Sequence, residues 1–193
     1  MFREKLQCED LPATCPDWGD LPEERGRQSA VLVLLCGRSE DPRVLLTRRP
    51  LHLNRHAGEI AFPGGRRDPH DRGPCETAFR EAKEEIGIDP EECRPCMRLG
   101  RVFAYSSDFE IHPVLAILGR EEMSFPMIDR NEVDEILLPS ARSFFHPQRL
   151  EWGRHGGIHF LFPVFEPLAG TRIWGATARI LWQLGRILEP IME

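Results

Sequence analysis

Ala30-Val31-Leu32-Val33-Leu34-Leu35-Cys36 is an apolar run with no polar interruption, closed by Gly37-Arg38-Ser39. A short run without alternation predicts a strand covered on both faces. Arg43-Val44-Leu45-Leu46-Thr47-Arg48-Arg49 predicts the next strand, paired with the first as a hairpin across Ser39-Glu40-Asp41-Pro42. From Pro74 the period changes, and Cys75, Phe79, Ala82 and Ile86 recur at three- and four-residue spacings, the signature of an amphipathic helix. Pro74 suits its first turn and Gly87 the left-handed position just past its end. Residues 100–105 and 111–118 predict two strands joined by the polar turn Ser106-Ser107-Asp108, and residues 151–162 a hairpin bending at Gly156-Gly157. Residues 176–188 return to the helical period, with Ile180, Leu181, Leu184 and Leu188 on a side that should pack on the sheet. Pro12, Pro16 and Pro22 break residues 1–28 into a short helix and an extended lead-in. Strands, one central helix, more strands and a terminal helix together predict an α/β layered fold.

Composition narrows the class. A chain of 193 residues that is 41% hydrophobic fits a single domain over residues 1–193 with an adequate core. A net charge of −6 argues against a nucleic-acid coat and leaves small phosphorylated substrates open, since these respond to local charge. No apolar run approaches a membrane span, and Met1-Phe2-Arg3-Glu4-Lys5 is unlike a signal peptide, so a cytoplasmic protein without membrane contact is expected. Cys8, Cys15, Cys36, Cys75, Cys93 and Cys96 are then expected to be reduced thiols. Cys93-Arg94-Pro95-Cys96 is a lone C-x-x-C with no second pair at finger spacing, which favours neither zinc nor redox chemistry. His155 and His159 likewise have no Cys or carboxylate in ligand register.

The central helix carries the chemistry. At about 100° per residue with Arg80 at zero, Glu84 falls near ~40°, Glu81 near ~100° and Glu85 near ~140°, opposite the apolar residues at about 200–260°. Three carboxylates on one face repel and raise one another's pKa unless they share a cation. Oxygen ligands without His or Cys point to Mg²⁺ or Mn²⁺ rather than zinc. The plain alternative is a solvated face laced with weak ion pairs. Phe62-Pro63-Gly64-Gly65 weighs against it, because paired glycines let a backbone approach a ligand closely or expose a carbonyl to it. Arg48, Arg49, Arg55, Arg66 and Arg67 add positive charge just before the acidic helix, an arrangement suited to a polyphosphate bridged between cations and guanidinium groups.

Residues 65–88 resemble the Nudix box, with its core Arg-Glu-x-x-Glu-Glu-x-Gly complete as Arg80, Glu81, Glu84, Glu85 and Gly87. One position departs: the common box has Glu where this chain has Arg72, and the nearest acid is Asp71. The likeness extends upstream through Leu45-Leu46-Thr47-Arg48-Arg49, His52, Asn54, Arg55, His56, Gly58 and Phe62-Pro63-Gly64-Gly65, which is similar to the motif of Nudix coenzyme A pyrophosphatases. Further matches lie at residues 132–135 and 173–181. That family usually has Arg where Asn54 stands, and Arg55, next along an extended strand, would point to the other face.

The resemblance implies a Nudix α/β/α sandwich on mixed sheets. It also implies metal-dependent cleavage of coenzyme A to adenosine 3′,5′-bisphosphate and 4′-phosphopantetheine. It makes Glu81 the base or bridging ligand, Glu84, Glu85 and the Gly65 carbonyl metal ligands, and Arg80 the group that orients the carboxylates. Glu132, before Glu135, is the further carboxylate, and Arg49, Asn54, Arg55, Gly64 and Arg66 are substrate contacts. Trp174 borders the site or plugs the core. The expected partner is a small molecule resembling coenzyme A, with a homodimer left open. Two rivals stand beside this reading: a Nudix pyrophosphatase for an ADP-sugar or dinucleotide, and a non-catalytic nucleotide-sensing module. The intact acids disfavour the second.

Overall fold

In a computed structural model of the chain, the described residues are 26–38, 40–119, 124–125 and 127–192, with the side chains of Pro95, Cys96 and Ile158 excepted. The strands are β1 (Arg27–Cys36), β2 (Arg43–Val44), β3 (Leu46–Arg48), β4 (Ile60–Ala61), β5 (Gly64–Arg66), β6 (Cys93–Arg98), β7 (Val102–Ala104), β8 (Phe109–Leu118), β9 (Glu135–Leu137), β10 (Arg149–His155) and β11 (Ile158–Val164). The helices are α1 (Pro74–Ile86) and α2 (Gly175–Met192).

β1 and β8 run parallel at the centre, in register from Arg27↔Phe109 to Leu35↔Ile117. The uninterrupted apolar sequence of β1 has the expected consequence, because each face meets its own helix. Ala30, Leu32, Leu34 and Cys36 join Val114, Ala116 and Leu118 of β8 under Ala78, Phe79, Ala82 and Ile86 of α1. Val33 and Leu35 join Leu115 and Ile117 on the other face, under Ala178, Ile180, Leu181, Leu184 and Leu188 of α2. The two-residue alternation of the strands thus deals one apolar run into two cores, which makes the sheet the middle layer of an α/β/α sandwich. β2, β5, β6 and β7 complete this mixed sheet, all pairing antiparallel to β1 or β8. No described helix is long and apolar enough to cross a membrane.

Several expectations need correction. The hairpin after β1 lasts only two pairs, Leu35↔Val44 and Cys36↔Arg43. Beyond Leu45 the chain leaves for a second sheet of order β4-β3-β9, because Val44 and Leu46 are buried in one core and Leu45 in the other. Residues 51–58 form turns, not an extended strand, so the argument from strand alternation at Asn54 and Arg55 does not apply. β6 was not foreseen, since Arg94, Pro95 and Arg98 mask it. It is an edge strand with a register shift between Pro95 and Met97, where a proline is tolerated. Within the 1–28 lead-in, Arg27 and Gln28 already belong to β1, and residues 1–25 lie outside the described ones. Cys75 is disulfide-bonded, against the expectation of reduced thiols throughout. Cys36 and Cys93 are buried thiols, whereas Cys8, Cys15 and the Cys96 side chain fall outside the described set.

α2 sits tightly on the 3₁₀ turn Ala141–Phe144. A Cβ built on Gly185 would collide with the backbone carbonyl of Phe144 and come within 2.6 Å of its carbon. Ala in place of Gly inside a helix ordinarily stabilises by about 1 kcal/mol. Here Gly185→Ala should have the opposite sign, destabilising by about 1–3 kcal/mol through overpacking. A thermal melt that rose would refute this packing.

A buried polar network spans β1 and β8. Gln28 Nε2 donates to Glu110 Oε2 (3.2 Å), His112 Nε2 donates to Gln28 Oε1 (2.8 Å) and Arg101 Nη1 donates to Glu110 Oε1 (3.0 Å). Burial holds the His112 imidazole down to about 4, against the opposing pull of Glu110. The folded state therefore keeps His112 neutral while the unfolded chain takes up a proton below about 6.5. Stability from this group is complete above pH ~6.5 and falls as pH drops toward about 4, by up to ~3 kcal/mol. Urea denaturation at pH 7.5, 5.5 and 4.5 should show a steeper acid loss for the parent than for His112→Gln, and equal slopes would refute the assignment.

Candidate active site

Gly64 and Gly65 thread β5 between β1 and α1. Gly64 has φ 149°, and a Cβ there would strike Ala30 O and the Val31 backbone. A Cβ on Gly65 would lie 2.5 Å from the Glu81 carboxyl carbon. The pair is glycine because strand backbone presses on one side and a carboxylate on the other.

Over this turn, α1 delivers its acids at different depths. Glu84 is exposed, Glu81 half-buried, and Glu85 only 5% exposed, so the reading of all three as one solvated face fails at Glu85. Glu85 accepts from Gly64 N at 3.3 Å. Burial, then the charge of Glu132, push the Glu85 carboxyl up to about 8, with Glu81 adding to the rise and the Gly64 N–H and Arg49 opposing it. Burial also raises Glu81, against the bond from Arg80, with Glu84 and Glu132 reinforcing the rise.

Glu132 is brought here by a turn rather than by a strand start. Asp129 N donates to Glu85 O (2.9 Å) and Asp134 N to Arg48 O (2.8 Å), which pins residues 130–132 between the end of α1 and β3. Glu135 opens β9 and bridges Arg48 at 3.0 Å. Of the two acids left open, Glu132 is the one whose charge acts on Glu81 and Glu85, and Glu135 is engaged by Arg48.

Arg80 ties the site together. Its Nε and Nη2 donate to Asp71 at 3.1 and 2.9 Å, its Nη1 to Glu81 at 2.8 Å and to Glu84 at 3.3 Å, and its Nη2 also to Arg66 O at 3.1 Å. Asp71 takes the Arg-pairing position that the sequence left unassigned at Arg72, which instead donates to Glu76. Asp71 is buried, which works to raise its pKa. The Arg80 guanidinium, the Asp68 N–H and the Thr77 hydroxyl outweigh that and leave it below the usual carboxylate range. The bonds to Asp71 raise the Arg80 pKa further, against its partial burial.

The other predicted contacts divide. Arg66 lines an open groove of about 640 Å³ with Arg67, Asp68, Arg80 and Glu81. Arg49 lines a narrower slot of about 200 Å³ with Gly64, Gly65, Arg66 and Glu85, and among the described residues nothing accepts a bond from its buried Nε. Asn54 and Arg55 are exposed on the 51–58 turns and line neither groove.

The donor set fits a hard divalent cation. Glu81, Glu84, Glu85 and Glu132 carry oxygens, and the Glu85 carboxyl, raised first by burial and then by the charge of Glu132, is the kind of group that a nearby cation stabilises in its ionised form. Among the described residues no three carboxylates already close on one point, and Arg80 holds Glu81 and Glu84 in their present positions.

The sequence reading missed a cleft of about 640 Å³ next to the slot, lined by Tyr105, Phe160, Phe162 and Arg154 together with Trp174. Trp174 is 41% exposed, so it borders this cleft and does not plug the core. The available signal was Phe160 and Phe162 opposite Gly153 and Glu151 in the predicted hairpin.

A NUDIX domain profile matches residues 26–160. The chain is 35% identical over 165 residues to the Nudix hydrolase NudL of Pectobacterium atrosepticum, covering 84% of this chain and 83% of that one. NudL of Yersinia pestis is also 35% identical, over 164 residues, 83% of this chain and 79% of the relative. The fold matches a MutT/nudix family protein from Enterococcus faecalis with a TM-score of 0.56 at 18% identity, over 97% of this chain and 74% of that one. It also matches the MutT protein from Methanosarcina mazei with a TM-score of 0.55 at 18% identity, over 86% and 98% respectively. The profile spans most of the chain and the relatives align over more than four-fifths of it, so this protein belongs to the Nudix hydrolase family.

Proposed function

We propose that the protein hydrolyses the diphosphate of coenzyme A or a derivative of it, releasing adenosine 3′,5′-bisphosphate and 4′-phosphopantetheine. The observation that carries the hydrolytic part is the buried Glu85 carboxyl, pressed by Glu132 and Glu81 beside a glycine turn and the unsatisfied Nε of Arg49. Coenzyme A as the substrate is supported by the likeness of residues 45–88 to the coenzyme A pyrophosphatase motif.

Nudix hydrolases generally need divalent metal ions, and in this chain Glu81, Glu84, Glu85 and the Gly65 carbonyl would hold magnesium or manganese. When bound, the ion neutralises and polarises the diphosphate and acidifies the attacking water. Glu81, lodged between Arg80 and Gly65, would accept the proton of the attacking water or serve as a ligand of the ion, and Glu132 would supply a further carboxylate. Arg80 keeps Glu81 oriented, with Asp71 holding its far side. Arg49 and Arg66, which make no salt bridge among the described residues, are available to the phosphate oxygens.

Glu85→Gln should leave the fold intact and lower kcat at least about a hundredfold, since a lost charged ligand removes several kcal/mol of transition-state stabilisation. Because Gln relieves a buried repulsion, the metal-free variant should melt higher than the metal-free parent. Glu84→Gln should also lose activity but leave the metal-free melt nearly unchanged, as Glu84 is exposed. A folded Glu85→Gln enzyme with parental turnover in Mg²⁺ and Mn²⁺ would sink the site.

For the substrate, kcat/KM measured over a panel should favour coenzyme A over ADP-ribose by about tenfold to a hundredfold, the value of one charge-assisted contact to the additional phosphate. Equal efficiency on ADP-ribose would point to an ADP-sugar pyrophosphatase instead.

A further inference from the structure

The cleft beside the carboxylate site is walled by a ladder of aromatic rings drawn from separate parts of the chain. Phe103 and Tyr105 meet edge to face at 5.0 Å, and Tyr105 lies 5.9 Å from Phe160 with a tilt of 30°. Phe160 lies 6.1 Å from Phe162, which lies 6.4 Å from Trp174. A glycine builds this wall. A Cβ on Gly153 would sit 2.9 Å from Phe160 and 3.1 Å from Phe162, so only glycine lets both rings lie across the hairpin.

A purely structural cluster would be covered, yet Tyr105 is 48% exposed and Trp174 41% exposed. Contiguous exposed aromatic surface marks a binding site. The charges around it are cationic. Arg154, Arg179 and Arg49 line the cleft, and the one acid among its described lining residues, Glu59, is occupied by His56 at 2.9 Å. Arg154 and Arg179 make no salt bridge among the described residues. The cleft also shares Arg49, Ala61, Phe109 and Thr177 with the slot that reaches Gly64 and Glu85, so the two cavities adjoin.

We propose that this cleft is the base subsite: a purine stacks on the Tyr105–Phe160 wall, and its ribose phosphate lies toward Arg154 and Arg179. Flat faces suit a heterocycle, and guanidinium groups without a salt bridge among the described residues suit the half of the substrate that carries the additional phosphate. The pantetheine half is a flexible, uncharged arm of amides and would leave those cations unmatched. The ribose-phosphate contact rests on coenzyme A as the substrate, whereas base stacking requires only a purine nucleotide.

Calorimetric titration of adenosine 3′,5′-bisphosphate, AMP and 4′-phosphopantetheine into the parent and into Phe160→Ala, Phe160→Leu and Arg154→Ala tests this. Phe160→Leu keeps apolar bulk and removes the π face, so it remains informative if the Ala variant folds poorly. The Phe160 variants should bind both adenine nucleotides about tenfold to a hundredfold more weakly and bind 4′-phosphopantetheine unchanged. Arg154→Ala should weaken adenosine 3′,5′-bisphosphate more than AMP. Unchanged nucleotide affinity in Phe160→Leu, or a loss confined to 4′-phosphopantetheine, overturns the subsite even where coenzyme A is hydrolysed. Weakened AMP binding in an enzyme that does not cleave coenzyme A upholds the base subsite and overturns the substrate reading alone.

Discussion

The backbone at Gly64 and Gly65 occupies a slot that admits no side chain, and the site is built around that constraint. On one side the slot is closed by β1, where Val31↔Gly64 and Ala30↔Gly65 pair antiparallel. On the other it is closed by the Glu81 carboxylate. The buried core under α1 sets the height of the helix above the sheet, and the absence of a Cβ lets the Glu81 carboxylate rest directly on strand backbone. A methyl group at Gly65 would leave the hydrophobic packing untouched and still dislodge Glu81. The packing of α1 and the geometry of the chemistry are therefore one constraint.

Charge follows the same logic. Glu85 is buried among Glu81 and Glu132 without a salt bridge of its own among the described residues, an arrangement that costs stability in the free protein. Arg80 contains the cost by dividing its guanidinium between Asp71 on the loop side and Glu81 and Glu84 on the helix. Asp71 is itself held by the Thr77 hydroxyl at 2.8 Å and the Asp68 N–H at 2.9 Å, so the loop before α1 acts as a rigid brace for Arg80. The strain that remains at Glu85 is of the kind a cofactor removes.

The sequence revealed what depends on local pattern. The both-faces burial of β1, the span of α1 with Gly87 at its left-handed end (φ 69°) and the hairpin bending at Gly156-Gly157 all follow from period and turn chemistry. What it could not reveal was decided at long range. Helical angles place Glu85 beside Glu81 but say nothing of the β5 backbone that buries it. The delivery of Glu132 depends on hydrogen bonds from one loop to the end of α1 and to β3. That Asp71 pairs with Arg80 depends on the course of the intervening loop, which spacing leaves undetermined. The disulfide at Cys75 was hidden because the sequence arguments concerned compartment, not distance.

The departure of the chain at Leu45 explains how chemistry and recognition meet. Had residues 43–49 continued as one strand beside β1, they would have taken the edge where Ser29, Ala30 and Val31 now pair with β5, and the Gly64-Gly65 backbone would have had no place there. Instead, Leu45 N still donates to Leu34 O at 3.0 Å, and the next residues cross to the sheet of β3, β4 and β9. The gap between the two sheets is the slot itself, with Ser29 and Val31 of β1 on one wall and Thr47 and Ala61 on the other. Arg49 follows directly after the crossing and so stands at the join of the slot and the aromatic cleft. A strand buried on both faces is expensive to interrupt. The interruption persists because Val44 and Leu46 fill one core while Leu45 fills the other, so the crossing loses no apolar burial. The wedge between the sheets is thus a product of core packing, and it leaves the Arg49 guanidinium lining both the slot that reaches Glu85 and the cleft of the hairpin rings.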